Sequence, residues 1–100
     1  MAFCRLEKLI NLSDGYRKEF RVARHDILLL HQSGQSYLIE NLCPHRGLSL
    51  SKGITSAGVI TCPGHGFQFE LSSGRCIKGH CSGLTLYPAE YDQDYLGIDI

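Results

Sequence analysis

Two short Cys/His pairs constrain this chain more than any other feature of its sequence. The first is Cys43-Pro44-His45 and the second is Cys62-Pro63-Gly64-His65, with sixteen residues between them. Thiolate sulfur and imidazole nitrogen are both good metal ligands, and each pair carries one of each on a short segment. If a fold brings the two segments together, they can surround a metal centre with two sulfur and two nitrogen donors.

This donor set is compatible with two kinds of metal centre. A [2Fe–2S] cluster would take two sulfurs on one iron and two ring nitrogens on the other. Structural zinc sites also use two cysteines and two histidines, but they usually pair cysteine with cysteine and histidine with histidine. Because each segment here contributes one cysteine and one histidine, the spacing favours the cluster. A Cys43–Cys62 disulfide is less favoured, since it would leave both histidines unexplained.

Length and charge limit the classes of protein to which the chain can belong. One hundred residues with 43% hydrophobic content predict a single domain, residues 1–100, with a modest core. Ten basic and ten acidic side chains cancel, so no basic surface for nucleic acid or anionic lipid is expected. The N-terminal stretch lacks the apolar core of a secretory signal, and the longest apolar run, Ile27–Leu30, is too short to cross a bilayer.

Three further cysteines, Cys4, Cys76 and Cys81, lie outside the two pairs. An odd number without regular spacing is not typical of a disulfide framework. A reducing compartment is therefore expected, and we predict a cytoplasmic location. Cys4 and Cys76 are interpreted as small apolar fillers in strands.

Short apolar segments alternate with turn residues along the whole chain, which predicts an all-β sandwich or barrel of short antiparallel strands. Apolar residues at positions 67, 69 and 71 alternate with polar ones, as in a strand with one buried face. Further strands are predicted at 3–9, 19–22, 27–31, 37–40, 59–61, 84–87 and 95–100, and turns at 13–15, 33–34 and 72–74. Both Cys/His pairs then lie at strand ends, on two loops held by one sheet. Leu48 and Leu50 are expected to cover the metal centre.

From about residue 40 onward, the chain resembles Rieske-type ferredoxins and the Rieske domains of oxygenases. The segment CPHRGLSLSKG, residues 43–53, is similar to the first cluster-binding loop of that family, and CPGHGFQF, residues 62–69, to the second. The resemblance implies a Rieske-like sandwich or barrel with a small cluster-binding subdomain, whose loops span about 43–50 and 62–69. It also implies one [2Fe–2S] cluster, with Cys43 and Cys62 on one iron and His45 and His65 on the other.

Differences from the respiratory Rieske proteins indicate the low-potential type. Leu48 and Gly64 stand where those proteins have a disulfide between the loops, and Phe67 and Phe69 replace a serine and a tyrosine that face the cluster. Without these hydroxyl donors the reduced cluster is stabilised less. The reduction potential should therefore lie at the low end of the Rieske range.

A third loop, residues 78–82, departs from the family pattern. Family members usually have a proline there, whereas this chain has His80 and Cys81 in that neighbourhood. The change is interpreted either as a tolerated loop variation or as a tuning role for His80 over the cluster.

The resemblance implies a one-electron carrier between a flavin-containing reductase and a terminal oxygenase, working through transient contacts, with a monomer as the default state. One alternative is the small subunit of an NAD(P)H nitrite reductase, in which the same fold occurs. An alternative of another class is a zinc-stabilised interaction module. No residue stands out as a general acid, base or nucleophile, so the chain is expected to be a component of an oxidoreductase system and not an enzyme by itself.

Overall fold

A computed structural model describes residues 3–44, 49–64, 66–79 and 82–99, and nearly all regular structure within them is β-strand. The prediction of an all-β fold is confirmed. A 3-10 turn, Leu9–Asn11, follows the first strand. No helix in these segments has the length and hydropathy needed to cross a membrane. The strands described are β1 (Phe3–Lys8), β2 (Tyr16–Val22), β3 (His25–Gln32), β4 (Gln35–Glu40), β5 (Ile54–Ser56), β6 (Val59–Thr61), β7 (Gln68–Glu70), β8 (Cys76–Lys78), β9 (Leu86–Tyr87), β10 (Glu90–Asp92) and β11 (Tyr95–Asp99).

These strands form three antiparallel sheets. The terminal sheet has the order β1-β11-β10, the central sheet β2-β3-β4-β9, and the distal sheet β5-β6-β7-β8. The terminal sheet thus joins the first and last strands of the chain, and the distal sheet is made from one continuous stretch of sequence.

The apolar run Ile27–Leu30 in β3 is buried along its whole length because the central sheet is covered on both faces. Successive side chains of a strand point to opposite faces. The odd-numbered members of the run pack with Leu96 and Ile98 of the terminal sheet. The even-numbered members pack with Ile60 and Phe69 of the distal sheet. Two hydrophobic cores therefore share one central sheet, and we call them the terminal core and the distal core.

The grouping of the strands differs from the sequence-based expectation. The loop that carries Cys43 leaves β4 of the central sheet, whereas the loop that carries Cys62 leaves β6 of the distal sheet. The expectation that one sheet holds both loops is therefore wrong. Strands β5 and β10 were not predicted either. Local periodicity reports which face a strand buries, but the choice of partner strand depends on contacts that are distant in sequence.

The two cysteines interpreted as apolar fillers lie where that interpretation requires. Cys4 is on β1 and is half-buried against the terminal core. Cys76 is on β8 and is half-buried against the distal core. Each occupies a strand position next to larger apolar side chains.

Glu7 is a buried carboxylate on β1, beside an irregularity in the pairing with β11. Its oxygens accept hydrogen bonds from the Tyr16 hydroxyl, from Asn11 Nδ2 at 3.0 Å and from the Lys8 backbone N–H at 2.9 Å. Lys18 Nζ lies 3.8 Å from Glu7 Oε2. These contacts, the Tyr16 hydroxyl foremost, lower the pKa of Glu7 from 4.5 to about 2, and the same bond raises the pKa of Tyr16. The network joins the terminal sheet to β2 of the central sheet.

We expect acid to weaken this network. Because the pKa of Glu7 is depressed in the folded state, its contribution to the free energy of unfolding is complete above pH 4.5 and is lost as the pH falls toward 2. Tyr16→Phe should lower the free energy of unfolding at neutral pH by about 1.5–3 kcal/mol, since a hydrogen bond to a charged acceptor disappears. Urea unfolding of wild-type, Glu7→Gln and Tyr16→Phe proteins across the acid range measures both effects. Equal acid dependence in wild-type and Glu7→Gln protein would contradict the assignment.

Candidate metal centre

Cys43 and Cys62 lie in the same buried core, between the central and distal sheets. Each residue is only 1% exposed. Cys43 follows β4 after a two-residue link, and Cys62 follows β6 directly. The structure thus places the two predicted sulfur donors at strand ends in one core, although their loops arise from different sheets.

The predicted nitrogen donors, His45 and His65, lie outside the described residues. The same holds for Leu48, His80 and Cys81. The assignment of the histidines as ligands, the covering role of Leu48 and any tuning role of His80 therefore remain predictions. Leu50, the other proposed cover, is fully buried in the distal core with both cysteines.

The second loop is the tip of the β6–β7 hairpin. The Cys62 backbone N–H donates to the Phe67 carbonyl at 2.7 Å, which extends the hairpin by one step beyond its last paired residues. The Gly66 N–H donates back to the Cys62 carbonyl at 3.1 Å. Gly66 has a φ of 71°, a conformation that favours glycine. Pro63 and Gly64 are exposed, so the tip of the loop reaches solvent while the cysteine beside it is buried.

Asn41, a buried residue two positions before Cys43, connects the start of the first loop to its end. Asn41 Oδ1 accepts hydrogen bonds from the Leu50 backbone N–H at 3.0 Å and from Ser49 Oγ at 3.1 Å. Its Nδ2 donates to Glu19 Oε1 on β2 at 2.6 Å. Sequence reasoning missed this residue. The signal that could have indicated it is the position of Asn41, directly after the predicted strand 37–40 and two residues before Cys43.

Arg17 on β2 holds the turn that follows the first loop. Its Nη1 donates to the carbonyls of Ser51 at 2.7 Å and Gly53 at 2.8 Å, and its Nη2 lies 3.3 Å from Thr55 Oγ1. A Cβ at Gly53 would lie 2.7 Å from the Thr61 carbonyl oxygen, so a side chain there would force the turn away from β6. Arg17 was also missed, because it lies outside the strand predicted at 19–22 and no neighbouring residue indicates the distant carbonyls that it contacts.

The chemistry of the donor set fits a Rieske-type centre. Two buried sulfur donors lie in one core, and each loop also carries one histidine in the sequence. A Rieske [2Fe–2S] cluster requires this mixture of two thiolates and two imidazoles. Burial of the cysteines among apolar side chains would keep water from the sulfur side of such a cluster.

A comparison with protein families decides between the cluster and zinc. The model of the Rieske [2Fe-2S] domain family matches residues 3–88. This chain belongs to the Rieske family. The predicted cofactor, one Rieske-type [2Fe–2S] cluster, is thereby confirmed, and the zinc-stabilised module is not supported.

Curated relatives of this Rieske protein include both small and large proteins. The ferredoxin component of the alkene monooxygenase system of Xanthobacter autotrophicus is 35% identical over 83 residues, covering 82% of this chain and 68% of that protein. The 4beta-methylsterol monooxygenase of Methylococcus capsulatus is 38% identical over 73 residues, covering 67% of this chain and 20% of that protein. Apoptosis-inducing factor 3 of Mus musculus is 34% identical over 64 residues, covering 64% of this chain and 11% of that protein. The chain thus spans about two thirds of the ferredoxin and a fifth or less of the two larger relatives.

Solved structures share the fold of this Rieske protein over nearly its whole length. The ferredoxin of carbazole 1,9a-dioxygenase from Nocardioides aromaticivorans has a TM-score of 0.87 at 24% identity, covering 98% of this chain and 97% of that chain. A Sphingomonas yanoikuyae ferredoxin has a TM-score of 0.88 at 23% identity, covering 99% of each chain. These likenesses confirm the predicted Rieske-like architecture.

Proposed function

We propose that this Rieske protein carries single electrons from a flavin-containing reductase to an oxygenase. The observation that carries the proposal is the burial of Cys43 and Cys62 in one core, at 1% exposure each, beside a loop tip that reaches solvent at Pro63 and Gly64. When bound, a Rieske cluster supplies reversible one-electron chemistry. The buried cysteines would shield the sulfur side of such a centre from water, and the exposed residues Pro63 and Gly64 would let the second loop contact a partner.

Four residues are proposed as the cluster ligands. Cys43 and Cys62 would hold one iron, and His45 and His65 would hold the other. The spacing of the two pairs in the sequence supports this set, as does the shared burial of the cysteines. Catalytic residues are not part of the proposal, because an electron carrier needs no acid, base or nucleophile of its own.

The partner classes are supported by relatives that work with oxygenases. The most informative is the ferredoxin component of the alkene monooxygenase system. A chain of the same fold, with a TM-score of 0.85, comes from a structure described as a complex of reduced oxygenase and oxidized ferredoxin in carbazole 1,9a-dioxygenase. We infer transient contacts of this kind for the present protein, acting as a monomeric single domain over residues 1–100 in the cytoplasm.

A nitrite reductase subunit is the second candidate function. A structure described as the small subunit of a putative NADPH nitrite reductase covers the whole of this chain with a TM-score of 0.82, but its identity is 17%. The 35% identity to a ferredoxin component favours the electron carrier. Stable co-purification with a large flavin or sirohaem protein would instead favour the subunit.

A low reduction potential is part of the proposal. Phe69 is fully buried in the core that contains both cysteines and offers no hydroxyl donor. Hydrogen bonds to cluster sulfurs raise the potential of iron–sulfur centres by stabilising the reduced state. The midpoint potential is therefore expected near the low end of the Rieske range, roughly −150 mV.

Metal analysis combined with electron transfer tests the function. Anaerobically purified protein should contain equal amounts of iron and acid-labile sulfide, appear red-brown, and give a Rieske EPR signal after reduction with dithionite. It should also stimulate cytochrome c reduction by NADH and a flavin reductase. A colourless zinc protein would contradict the cluster, and a red-brown protein that does not stimulate this reaction would contradict the carrier role.

A further inference from the structure

Asn41 is one of two buried polar or charged residues in the described part of the chain, the other being Glu7. Glu7 joins the terminal sheet to the central sheet through Tyr16 and lies on the opposite side of the central sheet from the distal core. Asn41 lies at the edge of the distal core, at the point where the chain leaves β4 toward Cys43. Buried amides are retained where their hydrogen bonds are satisfied, so the partners of Asn41 indicate what it does.

The partners of the Asn41 carbonyl oxygen lie on the returning end of the first loop. Ser49 and Leu50 are eight and nine residues downstream, and both donate to Oδ1. One side chain therefore closes the loop that contains Cys43. Because Leu50 is fully buried in the core with Cys43, this closure fixes the positions of the ligand and its apolar cover together.

The backbone and the amide nitrogen of Asn41 connect this closure to the central sheet. The Asn41 N–H donates to the Asp26 carbonyl at 2.9 Å, which continues the pairing of β3 with β4 by one residue. Asn41 Nδ2 donates to Glu19 Oε1 at 2.6 Å. An ionised carboxylate only accepts hydrogen bonds, so Glu19 selects the orientation in which the Asn41 oxygen faces the loop.

We propose that Asn41 is a positioning residue for the first cluster-binding loop and that Glu19 fixes the orientation of its amide. The proposal rests on the proposed function in one respect, since it takes Cys43 to be a cluster ligand. The pair holds Cys43 and Leu50 in position so that iron stays bound. Arg17 separately holds the next turn at Ser51 and Gly53, so loss of the Asn41 contacts should loosen the first loop and spare that turn.

A reciprocal substitution tests the pair. Asn41→Asp keeps an acceptor for the Leu50 N–H but places a carboxylate against Glu19. Adding Glu19→Gln restores a donor, so the double variant regains the hydrogen bond with the donor and acceptor exchanged. Its net charge equals that of the wild type, because one negative charge is added and one is removed. The substitutions also keep the side-chain volumes nearly unchanged, which favours folding of every variant.

Two measurements on the holoprotein report on the loop. The first is the rate of iron loss to a chelator, and the second is hydrogen exchange at the Leu50 amide, followed by mass spectrometry. Asn41→Asp should accelerate iron loss by about tenfold or more, the usual effect of removing an outer-shell partner, and should accelerate Leu50 exchange. The double variant should return both rates close to wild-type values. Glu90→Gln on the exposed strand β10 is the matched control and should change neither rate.

Each outcome has a definite consequence. Wild-type rates in Asn41→Asp protein would overturn the proposal, as would a folded double variant that stays as fast as the single variant. Wild-type protein without iron and sulfide would instead overturn the proposed function. In that case Leu50 exchange in the same four proteins still shows whether Asn41 and Glu19 close the loop.

Discussion

Cys62→Ser protein should be isolated almost without its cluster. Cys62 is 1% exposed and directly follows β6, so a hydroxyl at this position is held in an apolar core and replaces a soft thiolate with a poor iron ligand. If Cys62 is one of the four proposed ligands, cluster assembly depends on it, because metal binding and the order of the loops are coupled. We expect the iron and sulfide content per chain to fall by more than about 10-fold, with loss of the red-brown colour and of the reduced EPR signal.

Cys4→Ser is the matched control for this experiment. Cys4 lies on β1 and packs against the terminal core, on the other side of the central sheet. The same chemical change there should leave iron content and the EPR signal unchanged. Full iron content in Cys62→Ser protein would remove Cys62 from the ligand set, and equal loss in both variants would point to misfolding as the cause.

Phe69→Ala should produce the largest loss of stability of any single substitution considered for this protein. Phe69 is fully buried on β7 and packs in the distal core beside Cys43 and Cys62. Its truncation removes aromatic surface from the core and leaves a cavity that the surrounding strands cannot fill. The free energy of unfolding should fall by about 3–5 kcal/mol. Urea unfolding followed by far-ultraviolet circular dichroism measures the change.

Ile77→Ala provides the control within the same sheet. Ile77 lies on β8 and is 44% exposed, so its truncation leaves no cavity. The expected change in the free energy of unfolding is within about 0.5 kcal/mol, as for most surface substitutions. Similar small changes in both variants would show that the distal core does not depend on Phe69.

The sequence predicts those features of the fold and site that depend on neighbouring residues. Alternation around Phe69 predicts β7, and the apolar run Ile27–Leu30 predicts a strand, which the structure buries on both faces. The Cys/His spacing predicts the cofactor, because the type of metal centre depends on a few ligands that are close together in sequence. The cysteines also lie at strand ends, as predicted.

Other features depend on contacts between distant segments, and the sequence does not reveal them. The two loops come from different sheets because β4 pairs with β3 and β9, whereas β6 pairs with β5 and β7. Arg17 reaches Ser51 and Gly53 across more than thirty positions of sequence. No local pattern marks an arginine on a strand as a loop support, because its role is defined only once the partner carbonyls are in place.

Because two cores share one central sheet, different treatments should start to unfold the protein at different places. The acid-sensitive carboxylate Glu7 lies where β1 meets β2, whereas the cysteines lie behind the opposite face. Acid approaching pH 2 should therefore first weaken the contact between β1 and β2, whereas metal chelation should first weaken the distal core around the cysteines. Limited proteolysis under the two treatments should give different first cleavage sites, with the strands of the shared sheet surviving longest in both.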